Sequence, residues 1–149
     1  MTIIAVKDGI LASDTMVSAK DVVSGNVRKW CVVHRERGGG FFGAAGSLGP
    51  AQEAIDIMSG YEGVPVAESM IWVTGDGVVK EKYGEDGWIE FDADFYAIGC
   101  GELVARGAMA AGATAEEAVR ITMSIVYGCG GECEVAHVAD TLTIDEGRN

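Results

Sequence analysis

The sequence predicts an α+β fold of antiparallel sheets, and three observations carry that expectation. Turn signals of the Asp-Gly type sit between short apolar runs. The helical periodicities come in blocks between hairpins. Apolar residues make up 48% of a 149-residue chain, which is enough for one domain with a sizeable core. Helices grouped in this way argue against alternating βαβ units. Two facing sheets with helices outside, a four-layer αββα sandwich, is one arrangement that the order allows.

The elements follow in order. Thr2 to Lys7 is β-branched and apolar, Asp8-Gly9 is a type I′ turn signal, and Ile10 to Ser13 returns as the second strand. Asp14 to Gly25 reads as a looser stretch. Val27 to His34 reads as a strand, Arg35 to Gly40 as a Gly-rich turn, and Phe41 to Ala45 as the partner strand. A helix starts near Ser47 or Leu48, with Ala51, Ala54, Ile55 and Met58 on one face, and stops around Gly60. Met70 to Thr74 and Val78 to Tyr83 flank the turn Gly75-Asp76-Gly77, and Phe95 to Ile98 is a further strand. Two helices follow, Glu102 to Ala111 and one opened by Thr114 and Glu117 as a capping box. The second is expected to bury Ala118, Ile121 and Ile125. Cys133 to Ile144 reads as a long closing strand. No linker or repeat divides residues 1–149, which read as a single domain.

Charge narrows the function. The 11 Lys and Arg stand against 23 Asp and Glu, a net charge of −12, so a nucleic-acid partner, whose phosphates need cations, is not expected. The longest apolar runs are about half of a bilayer span, and the N-terminus lacks the basic start and apolar core of a signal peptide. A cytoplasmic protein without a membrane partner is therefore expected, with Cys31, Cys100, Cys129 and Cys133 as free thiols.

Familiar catalytic devices are missing: there is no G-x-S-x-G elbow, Walker loop, H-E-x-x-H or C-x-x-C pair, and only His34 and His137 as histidines. No cofactor is expected. A metal site on Cys129, Cys133 and His137 is disfavoured, because Gly130-Gly131 argues against the helix that would stack them, and a strand aligns too few ligands. Thr2 remains. Methionine aminopeptidases generally remove Met1 when a small side chain follows. A freed Thr2 would carry a hydroxyl and an α-amine on one residue, a nucleophile and its base together.

Five motifs in register resemble the proteasome β subunits and the HslV protease, of the N-terminal-nucleophile hydrolases. The opening T-I-I-A-V-K-D-G-I-L-A-S-D-T resembles the start of the mature subunits. Gly25-Asn26-Val27-Arg28-Lys29 resembles the segment of the catalytic lysine. Gly43-Ala44-Ala45-Gly46-Ser47 resembles the strand-to-helix turn of the oxyanion hole. Ala97-Ile98-Gly99-Cys100-Gly101 and Cys129-Gly130-Gly131 resemble the I-G-S-G and S-G-G elements. The likeness runs from Thr2 to about Val138 and implies the four-layer αββα sandwich of two antiparallel sheets. It implies Thr2 as nucleophile and base, an ion pair of Asp14 and Lys29 beside it, and the Gly46 N–H as oxyanion donor. It further implies Ser18 on the substrate backbone, Ala44 in a specificity pocket, and Cys100 and Cys129 as supporting residues where the family has serines. Standing alone, Asp14 would read as a turn residue and Lys29 as a solvent-facing strand residue.

By the same resemblance a ring-shaped homo-oligomer and a peptide or unfolded-protein substrate are expected. An ATPase unfoldase partner is known in the family, and nothing in the sequence tests for one. The first hairpin is shorter than the family's by an even number if Thr2 is the nucleophile, which keeps every side chain on its face. Two departures stand out. Cysteines replace both serines, and Val126 stands where active proteasome subunits have an aspartate that orients the threonine. A catalytically silent ring subunit is the alternative reading.

Overall fold

The computed structural model describes residues 1–19 and 22–138. Strands β1 (Ile3–Lys7) and β2 (Ile10–Ser13) form the opening hairpin. Its turn residues Asp8 and Gly9 have φ of 54° and 72°, the double left-handed geometry of a type I′ turn. Strands β3 (Met16–Ala19) and β4 (Val22–Asn26) pair with each other, followed by β5 (Trp30–Val32) and a short 3-10 turn at Arg35–Arg37. Then come β6 (Phe41–Ala45), helix α1 (Leu48–Ser59), β7 (Ser69–Val73), β8 (Val79–Lys82), β9 (Ile89–Phe91) and β10 (Phe95–Gly99). Helices α2 (Glu102–Ala110) and α3 (Ala115–Ile125) precede β11 (Glu134–His137).

One sheet has the order β10-β1-β2-β11 and the other β5-β6-β7-β8-β9, every pairing antiparallel. Three apolar clusters define four layers. Ile3, Ala5, Ala12 and Ala97 pack against Ala105, Met109, Ala118 and Val119 of α2 and α3. Ile4, Val6, Leu11 and Ile98 meet Phe41, Ala45, Ile71 and Val73 between the sheets. Phe42, Ala44 and Met70 meet Ala51, Ala54, Ile55 and Met58 of α1. The αββα sandwich expected from the sequence is therefore the fold.

Strand β1 is apolar at every position from Ile3 to Val6 because it is buried on both faces. Each fully buried Ile contributes about 1.5–3 kcal/mol. Glycine is required where β1 crosses the end of β10. A Cβ on Gly99, whose φ is +107°, would lie 2.0 Å from the Thr2 carbonyl oxygen.

Several expectations need correction. The stretch Asp14 to Gly25 contains the β3–β4 hairpin. Its strands were concealed because Val22 and Val23 are exposed and no buried face alternates along them. The strand expected over Val27 to His34 is confined to Trp30–Val32, since the preceding residues turn to bring Lys29 inward. Helix α3 buries Ala115, Ala118, Val119 and Thr122, leaving Ile121 and Ile125 outside at 40% and 67% exposure. The sheet is met by the 115/118/119/122 stripe, and the small residues there allow close approach. The capping box is present as expected, with Thr114 Oγ1 accepting from Glu117 N and Glu117 Oε1 from Thr114 N. Strand β9 had no clear signal in the sequence. The closing strand is observed over Glu134–His137, and positions 139–144 of that expectation lie outside the described residues.

Among the described residues no helix is long and apolar enough to cross a membrane. Glu81, almost fully buried, accepts a hydrogen bond from Tyr83 Oη and lies 3.7 Å from the Arg106 guanidinium. Burial raises its pKa, against the Tyr83 hydrogen bond and then the Arg106 charge. A folded-state pKa above the unfolded value gives a stability contribution that is full below the unfolded carboxylate value and lost as pH rises through the raised one. Glu81→Gln is therefore expected to gain stability relative to the parent as pH rises from 4 to 8. Urea melts across that range measure it, and a pH-independent difference would contradict the assignment.

Candidate active site

Four segments converge at the start of β1. Thr2 is the residue before the strand, and Asp14 is the first residue after β2, brought alongside by the hairpin register that pairs Ile4 with Ser13. The hairpin is closed by Asp14 N donating to the Ile3 carbonyl at 3.2 Å. Lys29 arrives from the turn between β4 and β5. The Gly128–Gly131 turn after α3 completes the set, with the Gly130 carbonyl accepting from Thr15 N at 3.2 Å and Met16 N at 3.1 Å.

The centre of the site is an ion pair. Lys29 Nζ lies 2.9 Å from Asp14 Oδ1, with the two side chains 5% and 0% exposed. That burial removes the turn-residue and surface-strand readings of both residues. The carboxylate is fully engaged: Ile3 N donates to Oδ1 at 3.1 Å and Gly130 N to Oδ2 at 3.1 Å. The ammonium donates a second bond, 2.8 Å, to the Met1 carbonyl oxygen. Lys29 therefore stands at the peptide bond joining Met1 to Thr2, with its charge held there by Asp14.

Thr2 is 8% exposed and lies in the wall of a cavity of about 580 Å³ with Ala45, Gly46, Ser47, Tyr83 and Cys100. Gly46, with φ of +118°, is the hinge between β6 and Ser47, the N-cap residue of α1. Cys100 Sγ is 3.6 Å from the Thr2 carbonyl oxygen and 3.5 Å from Cys129 Sγ. Burial first, then the Cys100 contact, pushes the Cys129 thiol up to about 12, so it is a neutral thiol at physiological pH.

The residues singled out by the resemblance thus divide. Thr2, Asp14, Lys29, Gly46, Cys100 and Cys129 come together. Ser18 lies in a separate groove of about 350 Å³, shared with Met16, Val23, Val126 and Cys129. Ala44 projects to the α1 side of β6, in the outer apolar layer, and its neighbour Ala45 faces the Thr2 cavity. Strand alternation was the signal that could have separated these two alanines. Val126 caps the C-terminus of α3 and packs against the apolar layer beneath that helix. The Gly130 N–H as a carboxylate donor was within reach of the sequence, since Cys129-Gly130-Gly131 was already marked. Glu68 and Glu102, also in the cavity wall, belong to no motif and had no signal.

No family model matches the chain, and no curated protein matches it. Solved structures do. The BPH protein of Thiobacillus denitrificans superposes with a TM-score of 0.66 at 17% identity, covering 92% of this chain and 97% of that one. The same protein in complex with epoxomicin gives 0.64 at 17% identity, with 92% and 98% covered. Eukaryotic HslV from Trypanosoma brucei gives 0.63 at 19% identity, with 91% and 97% covered. Coverage above nine-tenths on both sides means that the whole fold is shared: the chain has an HslV- and proteasome-like fold.

Removing one partner of a buried ion pair leaves an uncompensated charge. Lys29→Ala is expected to cost about 3–5 kcal/mol, and Asp14→Asn combined with Lys29→Met is expected to recover part of that loss. Denaturant melts of the parent and these two variants check this. A single substitution costing less than about 1 kcal/mol, the scale of an exposed pair, would contradict the burial.

Proposed function

We propose that the chain is an N-terminal threonine peptidase that hydrolyses peptide bonds through an acyl-enzyme on Thr2 once Met1 is removed. The observation that carries this reading is the Lys29 ammonium, held by buried Asp14 at 2.9 Å and reaching the Met1 carbonyl at 2.8 Å. While Met1 is attached, the Thr2 nitrogen is an amide and has no useful basicity. Its removal creates an α-amine of ordinary pKa near 8 and frees the Lys29 donor that held the Met1 carbonyl.

The chemistry then follows. The α-amine takes the hydroxyl proton as Thr2 Oγ1 attacks the substrate carbonyl. The nearby Lys29 charge lowers the cost of the developing alkoxide, and the Gly46 N–H on the cavity wall is the oxyanion donor. The tetrahedral species expels the peptide amine, which collects the proton from the α-ammonium. Water, deprotonated by the same amine, hydrolyses the ester and restores Thr2. Cys100 supports the nucleophile's backbone through the Thr2 carbonyl, and Cys129 supports Cys100. Ser18 would hold the substrate backbone from its own groove. Ala44 would shape a specificity pocket only on the α1 side of β6.

The HslV- and proteasome-like fold supports self-association into a ring, and the peptidase reading carries with it a peptide or unfolded-protein substrate and a cytoplasmic setting; an ATPase unfoldase partner is untested. The test is labelling. Met1-free protein incubated with a peptide epoxyketone is expected to gain one adduct on Thr2, absent from Thr2→Ala, as read by peptide mapping. Failure of correctly processed, folded protein to label would favour a catalytically silent ring subunit.

A further inference from the structure

One thiol, Cys100, adjoins the Thr2 carbonyl and a second, Cys129, adjoins Cys100, and the peptidase chemistry uses neither as a reactant. Cys100 follows β10 and Cys129 lies in the turn after α3, 29 positions apart in sequence, yet their sulfurs are 3.5 Å apart. A disulfide needs about 2.05 Å, so small movements of two side chains would close the gap. Both cysteines are flanked by glycine on each side, so no Cβ of a residue adjacent in sequence opposes that movement. Access is asymmetric: Cys100 is exposed in the wall of the Thr2 cavity, and Cys129 is buried behind it.

We propose that Cys100 and Cys129 form a dithiol site that a low-molecular-weight disulfide oxidises to an internal bridge, and that the bridge switches the Thr2 site off. The second half rests on the peptidase reading; the first does not. In the first step the Cys100 thiolate attacks the external disulfide, forming a mixed disulfide and releasing one thiol. In the second the Cys129 sulfur attacks Cys100 Sγ, the internal S–S bond forms and the second external thiol leaves. The two protein thiols lose two electrons and two protons, and the external disulfide becomes two thiols. The exposure of Cys100 and the burial of Cys129 fix this order, and the closing step is faster as pH rises, because burial raises the Cys129 pKa and the thiolate is the attacking form.

Closure reaches the catalytic groups by two short routes. The Cys100 S–H now placed 3.6 Å from the Thr2 carbonyl oxygen would be lost as a donor. Drawing Cys129 toward Cys100 also pulls on Gly130, whose N–H holds Asp14 Oδ2 at 3.1 Å, and Asp14 in turn holds Lys29. Cys31 is separate from this arrangement, on β5, donating to the Ile55 carbonyl at 3.4 Å.

The experiment treats the full chain, with Met1 removed, with oxidised glutathione and maps it without reduction. The expected product is a Cys100–Cys129 bridge with Cys31 and Cys133 still open to alkylation. Four alkylatable thiols after treatment, an arrested adduct on Cys100, or a bridge to another cysteine would overturn the dithiol site. In the second arm, epoxyketone labelling of Thr2 is compared before and after oxidation. A fall of about tenfold, the weight of roughly one hydrogen bond, is expected, with recovery on reduction by dithiothreitol. The ratio of oxidised to reduced labelling should return to unity in Cys100→Ser. Equal labelling with the bridge in place would overturn the switch. If the reduced protein never labels, the peptidase reading and the switch fall together, and the mapped bridge still decides the dithiol site.

Discussion

The contact between Asp14 and Lys29 constrains more of this molecule than any other. Burying two charges costs several kcal/mol per ion before compensation. The compensation here is specific: the carboxylate receives the ammonium and the Ile3 and Gly130 N–H groups, and the ammonium also reaches the Met1 carbonyl. These five groups sit on four different segments, Met1 and Ile3 sharing the first. The pair can be satisfied only if the start of β1, the end of β2, the turn before β5 and the turn after α3 all arrive together. A requirement on two side chains therefore becomes a requirement on the topology.

The layers make that meeting possible. Strand β1, paired with β10 and β2 and buried on both faces, is the rigid reference. It fixes Thr2 at one end of the sandwich, where Gly99 lets the chain pass and Gly46 brings β6 into the same cavity. The outer helices mainly add cover, α2 reaching the cavity wall only through its first residue, Glu102. Helix α3 contributes through its exit, since the turn that follows it carries both Cys129 and the Gly130 donor.

How much of this could be read from the sequence depended on whether a signal was local. The Asp8-Gly9 turn, β6, α1 and the Thr114–Glu117 capping box all depend on residues within a few positions of one another, and all stand where the sequence put them. The β3–β4 hairpin was obscured because exposed Val22 and Val23 break the usual alternation. Ile121 and Ile125 misdirected the reading of α3, because the sheet selects small residues at the contact over larger ones beside it. In the site, chain order and motif resemblance indicated which residues to examine. Their separation into an inner group around Thr2, a groove with Ser18 and an outer layer with Ala44 is a matter of which face each strand presents. The acceptor role of the Met1 carbonyl had no sequence signal, since a backbone oxygen carries none.

The central claim is that Asp14 holds a charged lysine at the position from which Thr2 would act, and a crystal structure of the protein freed of Met1 tests it most directly. With the Met1 carbonyl gone, Lys29 Nζ should keep its contact with Asp14 and come within hydrogen-bonding distance of Thr2 Oγ1. A Lys29 side chain turned out to solvent, with Asp14 left to its backbone donors alone, would contradict the account.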